Sequence, residues 1–510
     1  MNKISSSALF PSSTSTMINT EDNSSHGSAA VDPPTLQHEV EIQDRSFPAI
    51  NLPSALSNLL QIRLPSSKNP SSALIVDKQT PAESPLDNIS FLRTAIHGSG
   101  DWSQFLNPLH PSLRREILKY GELAQATYDA FDNNPESKYH GSSLFGRHRL
   151  LPLLCLTRHD YSITKYLYAT SQLDLPHWLV RPADRAKSHW CDESNWMGFV
   201  AVSGNAETDR LGCRDIVVAW RGTVAAAEWL KDLQGQLEPF PGADDPDVRV
   251  EHGFHSLYTS RSQISRFTAS SASEQLTAEL QRLVNLYKHS GEEVSVTITG
   301  HSLGGALALL SAADAALSLP AGVPVGVISF GAPRVGNEAF GEMLKKNRVK
   351  VLRVATKQDV VPKVPGLLFN EDRKMKGWEG VYVHVGDELE LDAKDSPYLK
   401  REVIDVAGFH GLETYLHLVD GFERAGAGFR ATARRDAALV NKSGALLKEE
   451  LGIPANWHQP ANKGLVKNKF GRWVHPKRDS EDIPSPFVEK RDVVDSAAGV
   501  PAASGGTGVR

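Results

Sequence analysis

The feature that most constrains the fold of this chain is a serine flanked by glycines. It lies between a segment with the hydrophobic period of a strand and a segment apolar enough for a buried helix. Ser302 lies in GHSLG at residues 300–304. The preceding run, VSVTIT at 294–299, alternates β-branched and polar residues as a strand does, and the following run, GALALLSAADAALSL at 305–319, is apolar enough for a buried helix. The sequence therefore predicts a strand, a tight turn that carries Ser302, and a helix.

This order of elements is the context in which G-x-S-x-G forms the nucleophile elbow of an α/β-hydrolase. Gly300 and Gly304 lack side chains, so the strand and the helix can approach closely while Ser302 projects from the turn. The helix N-terminus, beginning near Leu303, would offer free N–H groups to a developing oxyanion. The alternative is a chance match in a glycine-rich turn.

The middle of the chain alternates β-branched runs with runs of helical period. The predicted strands are 215–220, 294–299, 325–330 and 349–355, and the predicted helices are 110–131, 305–319 and 337–346. Strands that alternate with helices favour a largely parallel sheet with helices on both faces, so the fold class is α/β.

A serine nucleophile needs a base within hydrogen-bond reach and an acid that orients the base. In this fold the acid follows the serine along the chain and the histidine comes last. Asp359 follows the predicted strand at 349–355 and is favoured as the acid, whereas Asp405 in REVIDVAG is the alternative.

Three histidines follow these acids. His410 stands at the entry of a predicted helix at 408–422, directly after a short glycine-containing stretch, and is favoured as the base. His417, seven positions later, is the alternative base and could equally be a buried structural histidine. His384 lies in the strand-like run VYVHVGDELEL and is expected to be structural.

The second oxyanion donor of this fold comes from a loop after an earlier strand. The run AWRGTVAAAEWLKDL at 219–233 supplies a candidate in which Gly222 permits the turn and Thr223 offers its amide. An ordinary strand end is the alternative reading of this loop.

Composition limits the other functions that the chain could have. A formal charge of −5 over 510 residues gives no indication of a nucleic-acid partner. The three cysteines have no C-x-x-C spacing, so neither a disulfide framework nor a zinc site is predicted, and the proposed chemistry needs no metal or cofactor. The apolar run at 303–319 is short for a membrane span and contains Asp314.

The two ends of the chain differ from the middle. Residues 1–88 are rich in Ser, Pro, Asn and Thr and are expected to be a flexible leader, either a plastid transit peptide or a plain disordered tail. The catalytic domain is expected at 89–480 and a disordered tail at 481–510.

Together these segments resemble the class 3 lipase family. In that family an R-G-T or R-G-S loop precedes GHSLGGALA and the acid lies in D-x-V-P, which correspond here to 221–223, 300–306 and 359–362. The segment EHGFHSLY at 251–258 matches a further family segment. The interval between Asp359 and His410 is similar to that of fungal members, which favours His410 over His384.

Longer segments resemble plant phospholipase A1 enzymes of the plastid-type class I. The match runs from about residue 90 to 478, and its motifs are 101–131, 164–171, 410–422 and 456–466. The resemblance implies hydrolysis of the sn-1 ester of phosphatidylcholine, with galactolipids as a further substrate class, and a chloroplast location. The leader departs from the usual transit pattern because its first twenty residues contain no arginine.

Two segments are candidates for contact with the lipid substrate and the membrane surface. VAAAEWL at 224–230 corresponds to the lid helix of fungal relatives, or is a buried surface helix. The segment 456–478 is expected to touch an anionic membrane, or to be a solvated face. It interleaves aromatic with basic residues: Trp457, Phe470, Trp473, Lys463, Lys467, Lys469, Arg472, Lys477 and Arg478.

Two other functions fit the same motifs. One is a lipase-like signalling scaffold that acts by binding protein partners, although such proteins add a large helical C-terminal domain and the residues after His410 match the phospholipase pattern instead. The other is an acyltransferase that uses the same acyl-enzyme. The sequence names no protein partner.

Overall fold

The structure is a computed structural model that describes residues 88–134, 137, 139–170, 194–223, 236–263, 265–365, 382–401, 403, 405–458, 466–467 and 469–474. The expected leader, apart from Asn88, the candidate lid at 224–230 and the expected tail at 481–510 lie outside these residues.

Regular elements follow one another through the described residues. The strands are β1 Tyr161–Ala169, β2 Asn195–Ser203, β3 Arg214–Trp220, β4 Leu237–Pro239, β5 Arg249–Glu251, β6 Val294–His301, β7 Val325–Phe330, β8 Lys350–Thr356, β9 Asp387–Leu391, β10 Val466–Lys467 and β11 Trp473–Val474. The helices are α1 Arg93–Ile96, α2 Ser103–Leu106, α3 Pro111–Asp129, α4 Arg147–Leu153, α5 Asn205–Leu211, α6 His252–Thr259, α7 Ala272–His289, α8 Leu303–Ser318, α9 Glu338–Lys346, α10 Val406–His410 and α11 Leu412–Gly421.

Seven of these strands form one sheet in the order β1–β2–β3–β6–β7–β8–β9. β1, β2 and β3 pair antiparallel, whereas β3 and the four strands beyond it pair parallel. Because parallel neighbours end at the same edge, the loops after β3, β6, β7 and β8 meet there. The predicted α/β class with a largely parallel sheet is confirmed.

Alternating side chains of the strands build two apolar cores, one on each face. In β3, Val217 and Ala219 face one core, and Ile216, Val218 and Trp220 face the other. Helices α3 and α11 cover the first face, and α6, α7, α8 and α9 cover the second. A strand with helices on both sides can be apolar on both faces, and β3 accordingly has an apolar residue at every position from Ile216 to Trp220.

Helix α8 is buried on nearly every side because it lies between β6, β7 and three other helices. Leu307 and Leu310 are fully buried in it, and burial of such a side chain contributes about 1.5–3 kcal/mol. The buried-helix interpretation of 303–319 is therefore confirmed. Across the described residues, none of the helices combines the length and apolarity that crossing a bilayer requires.

The turn between β6 and α8 is tighter than the sequence pattern predicted. β6 continues past the expected end at Thr299 because Gly300 and His301 still pair with Ser329 and Phe330 of β7. Helix α8 begins at Leu303 rather than at residue 305. Ser302 alone therefore makes the turn from strand to helix.

Candidate active site

Ser302 has a backbone conformation that few side-chain-bearing residues adopt. Its φ is 59° and its ψ is −128°, and its amide donates to the carbonyl of Phe330 at 2.9 Å. Such a conformation costs about 1–3 kcal/mol and is kept where the surroundings enforce it, most often at functional sites. The side chain is fully buried at the carboxyl edge of the sheet.

The two glycines of the motif permit this turn. A Cβ on Gly300 would stand 2.2 Å from the carbonyl oxygen of Gly304, and a Cβ on Gly304 would stand 2.5 Å from that of Trp220. Both distances are far inside van der Waals contact, so any larger residue would push α8 away from β6 or β3. The predicted close approach of strand and helix is thus present.

Asp359 lies just beyond β8 and accepts hydrogen bonds from three groups. His410 Nδ1 is 2.7 Å from Asp359 Oδ2, Tyr415 Oη donates to the same oxygen at 2.6 Å, and the Val361 amide donates to Oδ1 at 2.9 Å. The carboxyl is fully buried. These donors compensate the loss of water around the carboxylate and fix its orientation.

The bond to Asp359 sets the tautomer of His410. A carboxylate accepts, so Nδ1 carries the proton and Nε2 presents a lone pair. His410 is 4% exposed, and its Nε2 has no hydrogen-bond partner among the described residues. Ser302 Oγ likewise has none there, so the two atoms are not hydrogen-bonded to each other in this structure.

Tyr415 is a residue of the site that the sequence pattern did not reveal. It lies in α11, and its spacing there is that of any residue on the buried apolar face of the helix. Burial, reinforced by the charge of Asp359, raises the pKa of its phenol well above the ordinary value. The phenol therefore stays protonated and donates to Asp359.

The alternative residues occupy other positions. Asp405 caps α10 by accepting from the Gly408 amide at 2.8 Å. His417 Nε2 lies 2.8 Å from Ser396 Oγ, and burial lowers its pKa to about 4. His384 lies outside β9 and is half-buried, and burial followed by the nearby arginines lowers its pKa to about 3.

The candidate oxyanion loop follows β3 directly. Thr223 is 7% exposed, and its Oγ1 has no hydrogen-bond partner within the described part of the chain. Arg221 Nη1 donates to the Gly222 carbonyl at 2.9 Å, and its guanidinium carbon lies 3.6 Å from the ring centre of Phe131. The Gly222 carbonyl and the Thr223 N–H belong to the same trans peptide, so they point in opposite directions. Because the carbonyl points toward Arg221, the Thr223 N–H points away from Arg221.

The described residues contain no cluster of three His, Cys, Asp or Glu side chains that could hold a metal ion. Cys155 and Cys213 are free thiols, and Cys191 lies outside the described residues.

The segment at 456–478 is described only in part. Trp457 is 40% exposed and Phe470 is 75% exposed, and Lys469 Nζ lies 5.0 Å from the Phe470 ring centre. Contact of this segment with a membrane stays a prediction.

Residues 217–369 match the family described as Lipase (class 3). Over 412 residues, the chain is 46% identical to phospholipase A1-Igamma2, chloroplastic, of Arabidopsis thaliana, covering 77% of each chain. It is 45% identical to phospholipase A1-Igamma1, chloroplastic, of the same plant, covering 76% of this chain and 78% of that one. It is 42% identical to phospholipase A1-II 3 of Oryza sativa subsp. japonica, covering 75% and 91%. The chloroplastic names support the expected chloroplast location.

Solved lipases share lower identity with the chain. The lipase of Rhizomucor miehei in its propeptide complex is 22% identical with a TM-score of 0.33, covering 54% of this chain and 68% of that one. Lip2 lipase of Yarrowia lipolytica is 21% identical with a TM-score of 0.37, covering 56% and 80%. The sequence relatives, by contrast, match about three quarters of the chain. By those relatives and the family match, the chain belongs to the class 3 lipases and is a lipid ester hydrolase.

Proposed function

We propose that the chain hydrolyses the sn-1 acyl ester of phospholipids such as phosphatidylcholine, with galactolipids as a further substrate class. The relatives named phospholipase A1 support the reaction and the position of the ester. A chloroplast location supports galactolipids, which would then be abundant around the enzyme.

In this proposal Ser302, His410 and Asp359 form a catalytic triad. His410 Nε2 removes the proton from Ser302 Oγ as that oxygen attacks the ester carbonyl, and Asp359 stabilises the imidazolium that forms. The amides of Leu303 and Thr223 hold the oxyanion. The lysolipid leaves with the proton from His410, and the acyl group stays on Ser302. His410 then takes a proton from water as the water attacks the acyl-enzyme, and returns it to Ser302 Oγ as the fatty acid leaves.

One observation carries the proposal: a histidine whose Nδ1 is bonded to a buried carboxylate while its Nε2 and the elbow serine hydroxyl are both buried without described partners. A buried polar atom left unpaired costs about 1–3 kcal/mol, so a stable interior keeps few of them. In enzymes without substrate, catalytic hydrogen bonds are often long and tighten when the substrate binds.

The reaction is tested with phosphatidylcholine and a galactolipid that carry distinguishable acyl chains at sn-1 and sn-2. The purified protein should release the sn-1 chain first from both lipids, and Ser302→Ala should release neither. Ser311→Ala is the matched control because this buried serine of α8 lies nine positions after Ser302 and donates to the Leu307 carbonyl.

Three results would contradict the proposal. Release of the sn-2 chain first would overturn the positional assignment. Hydrolysis that survives Ser302→Ala would overturn the nucleophile. A protein that folds, binds lipid and hydrolyses neither substrate would favour the scaffold alternative.

A further inference from the structure

His301, the residue before the candidate nucleophile, joins two separate parts of the site. Its Nδ1 lies 2.7 Å from the phenol oxygen of Tyr128, and its Nε2 lies 2.7 Å from the backbone carbonyl oxygen of His410. The His301 and His410 rings lie 4.5 Å apart between centres. His301 is 5% exposed, so water does not replace these bonds.

The partners of His301 determine where each proton lies. A carbonyl oxygen only accepts, so His301 Nε2 must carry the hydrogen that reaches His410. A neutral imidazole has one such hydrogen, which leaves Nδ1 as an acceptor for the Tyr128 hydroxyl. Burial lowers the pKa of His301 well below its ordinary value, in agreement with a neutral ring.

Tyr128 also lies against the candidate oxyanion loop. A Cβ on Gly222 would stand 2.2 Å from the Tyr128 hydroxyl and 3.1 Å from Ser302 Cβ. Tyr128 comes from the last turn of α3, far from the loop in sequence. One phenol therefore touches the loop before Thr223 and, through His301, the backbone of His410.

We propose that Tyr128 and His301 are positioning residues, which hold the His410 backbone and the oxyanion loop at fixed distances from Ser302. This inference rests on the catalytic roles proposed above for Ser302 and His410. Asp359 fixes the far side of the His410 ring, and the Tyr128–His301 pair fixes its backbone.

The location of His410 explains why it needs a second anchor. It is the last residue of α10, a five-residue helix whose C-cap is Gly411. A helix this short has little internal stability, so its end can shift unless other elements hold it. A displacement of about 1 Å at a catalytic group can cost about a hundredfold in rate.

Two substitutions of His301 separate positioning from packing. The amide nitrogen of Gln can occupy the place of His Nε2 and donate to the His410 carbonyl, whereas Asn reaches only the place of Nδ1. We therefore expect His301→Asn to lower kcat by about thirtyfold to a hundredfold, and His301→Gln by about fivefold or less. KM should be alike in both variants, because neither nitrogen is proposed to touch the substrate.

Tyr128→Phe provides a second test that does not depend on the His301 variants folding. It removes only the hydroxyl, and we expect kcat to fall about tenfold with KM unchanged because a buried His301 Nδ1 loses its donor. Tyr166→Phe is the matched control, since that buried phenol donates to the Phe145 carbonyl at 2.8 Å. Thermal unfolding of every variant shows whether it is folded at the assay temperature.

Equal kcat values for His301→Asn and His301→Gln, whether high or low, would overturn the inference, as would an unchanged kcat in folded Tyr128→Phe. Failure of the proposed function has a different signature, namely full hydrolysis by Ser302→Ala. If Ser302→Ala is inactive and the two His301 variants are equal, only the positioning inference fails.

Discussion

The two ends of β3 and β6 hold buried polar clusters of opposite character. At the amino end Asp215 pairs in register with Ser295, and at the carboxyl end Trp220 pairs with Gly300, two positions before Ser302. The amino-end cluster has its charges paired, whereas the carboxyl-end cluster keeps hydroxyl and imidazole atoms without described partners. One end pairs its charges within the fold, and the other keeps the atoms to which we assign the chemistry of the proposed function.

The amino-end cluster joins α3 to α5. Lys119 lies 2.7 Å from both Glu116 and Glu207, and Arg210 lies 2.5 Å from Glu116 and 2.7 Å from Glu207. Beside it Asp215 accepts from four hydroxyls, those of Tyr120, Tyr161, Ser295 and Thr297. Charges paired in this way remain ionised even though they are buried.

Helix α3 connects the two clusters. Its first half carries Glu116 and Lys119 of the ionic cluster, and its last turn carries Tyr128, which bonds to His301 of the candidate active site. The pairing at one end therefore fixes the helix that places the phenol at the other. Substitutions at the two ends should separate activity from stability.

The largest effect should come from the carboxyl end. His410→Gln removes the proposed base, and we expect activity to fall by about 10⁴-fold or more with little change in unfolding. His417→Gln is the control because that histidine bonds to Ser396 instead. The measurement is the rate of hydrolysis of one phospholipid by both variants, compared at matched thermal stability. If His417→Gln lost activity and His410→Gln kept it, His417 would be the base.

Lys119→Met should produce the converse effect at the amino end. It removes one of the two cations that Glu116 and Glu207 share and leaves only Arg210 between them, and we expect a loss of about 3–5 kcal/mol in the free energy of unfolding. The folded fraction should keep a normal kcat. Urea denaturation measures the loss, and Lys345→Met is the control because its pair with Glu342 is exposed.

Acid should weaken the ion pairs made by helix α3, both those of the amino-end cluster and the separate pairs of Glu122. The pKa values of Glu116 and Glu207 are lowered by their cations, and that of Glu122 is lowered to about 2 by His159 and Arg435. Carboxyls with a depressed pKa stabilise the fold above their unfolded pKa, near 4.5, and that stability is lost as pH falls toward the folded pKa. For Glu122 alone the loss is about 3 kcal/mol.

Urea midpoints measured from pH 6 to pH 3 check this dependence. They should fall steeply below about pH 4.5, and Glu122→Gln should show a shallower fall than the parent. Parallel curves for the two proteins would show that Glu122 carries none of the effect.

Tyr415→Phe should have the smallest effect. It removes one of three donors to Asp359 and leaves the bonds from His410 and Val361. We expect kcat to fall about tenfold, from a less well oriented carboxylate, with KM unchanged. A kcat equal to that of the parent would show that the other two donors hold Asp359 unaided.

The features of the fold and of the candidate site that the sequence could predict depend on residues that are close together along the chain. The change from strand period to helix period around Ser302 lies within about thirty residues, and Asp359 directly follows the strand β8. Tyr128 could not be assigned in this way because 173 positions separate it from His301. In the sequence its phenol resembles any other residue of an amphipathic helix.

Strands β1 and β2 were not predicted, for a physical reason. β1 has two register shifts, after Ile163 and after Leu167, and such bulges break the period-two pattern. β2 is buried along its whole length, so it shows no alternation at all. The antiparallel pairing of the two strands is seen only in the structure.

The most direct test of the account is the identity of the nucleophile. A p-nitrophenyl alkylphosphonate should release one equivalent of nitrophenol per chain and leave its phosphonyl group on Ser302, as located by mass spectrometry of the peptides. His410→Gln should react about 10⁴-fold more slowly. Attachment to any other residue, or phospholipid hydrolysis that continues in Ser302→Ala, would contradict the account.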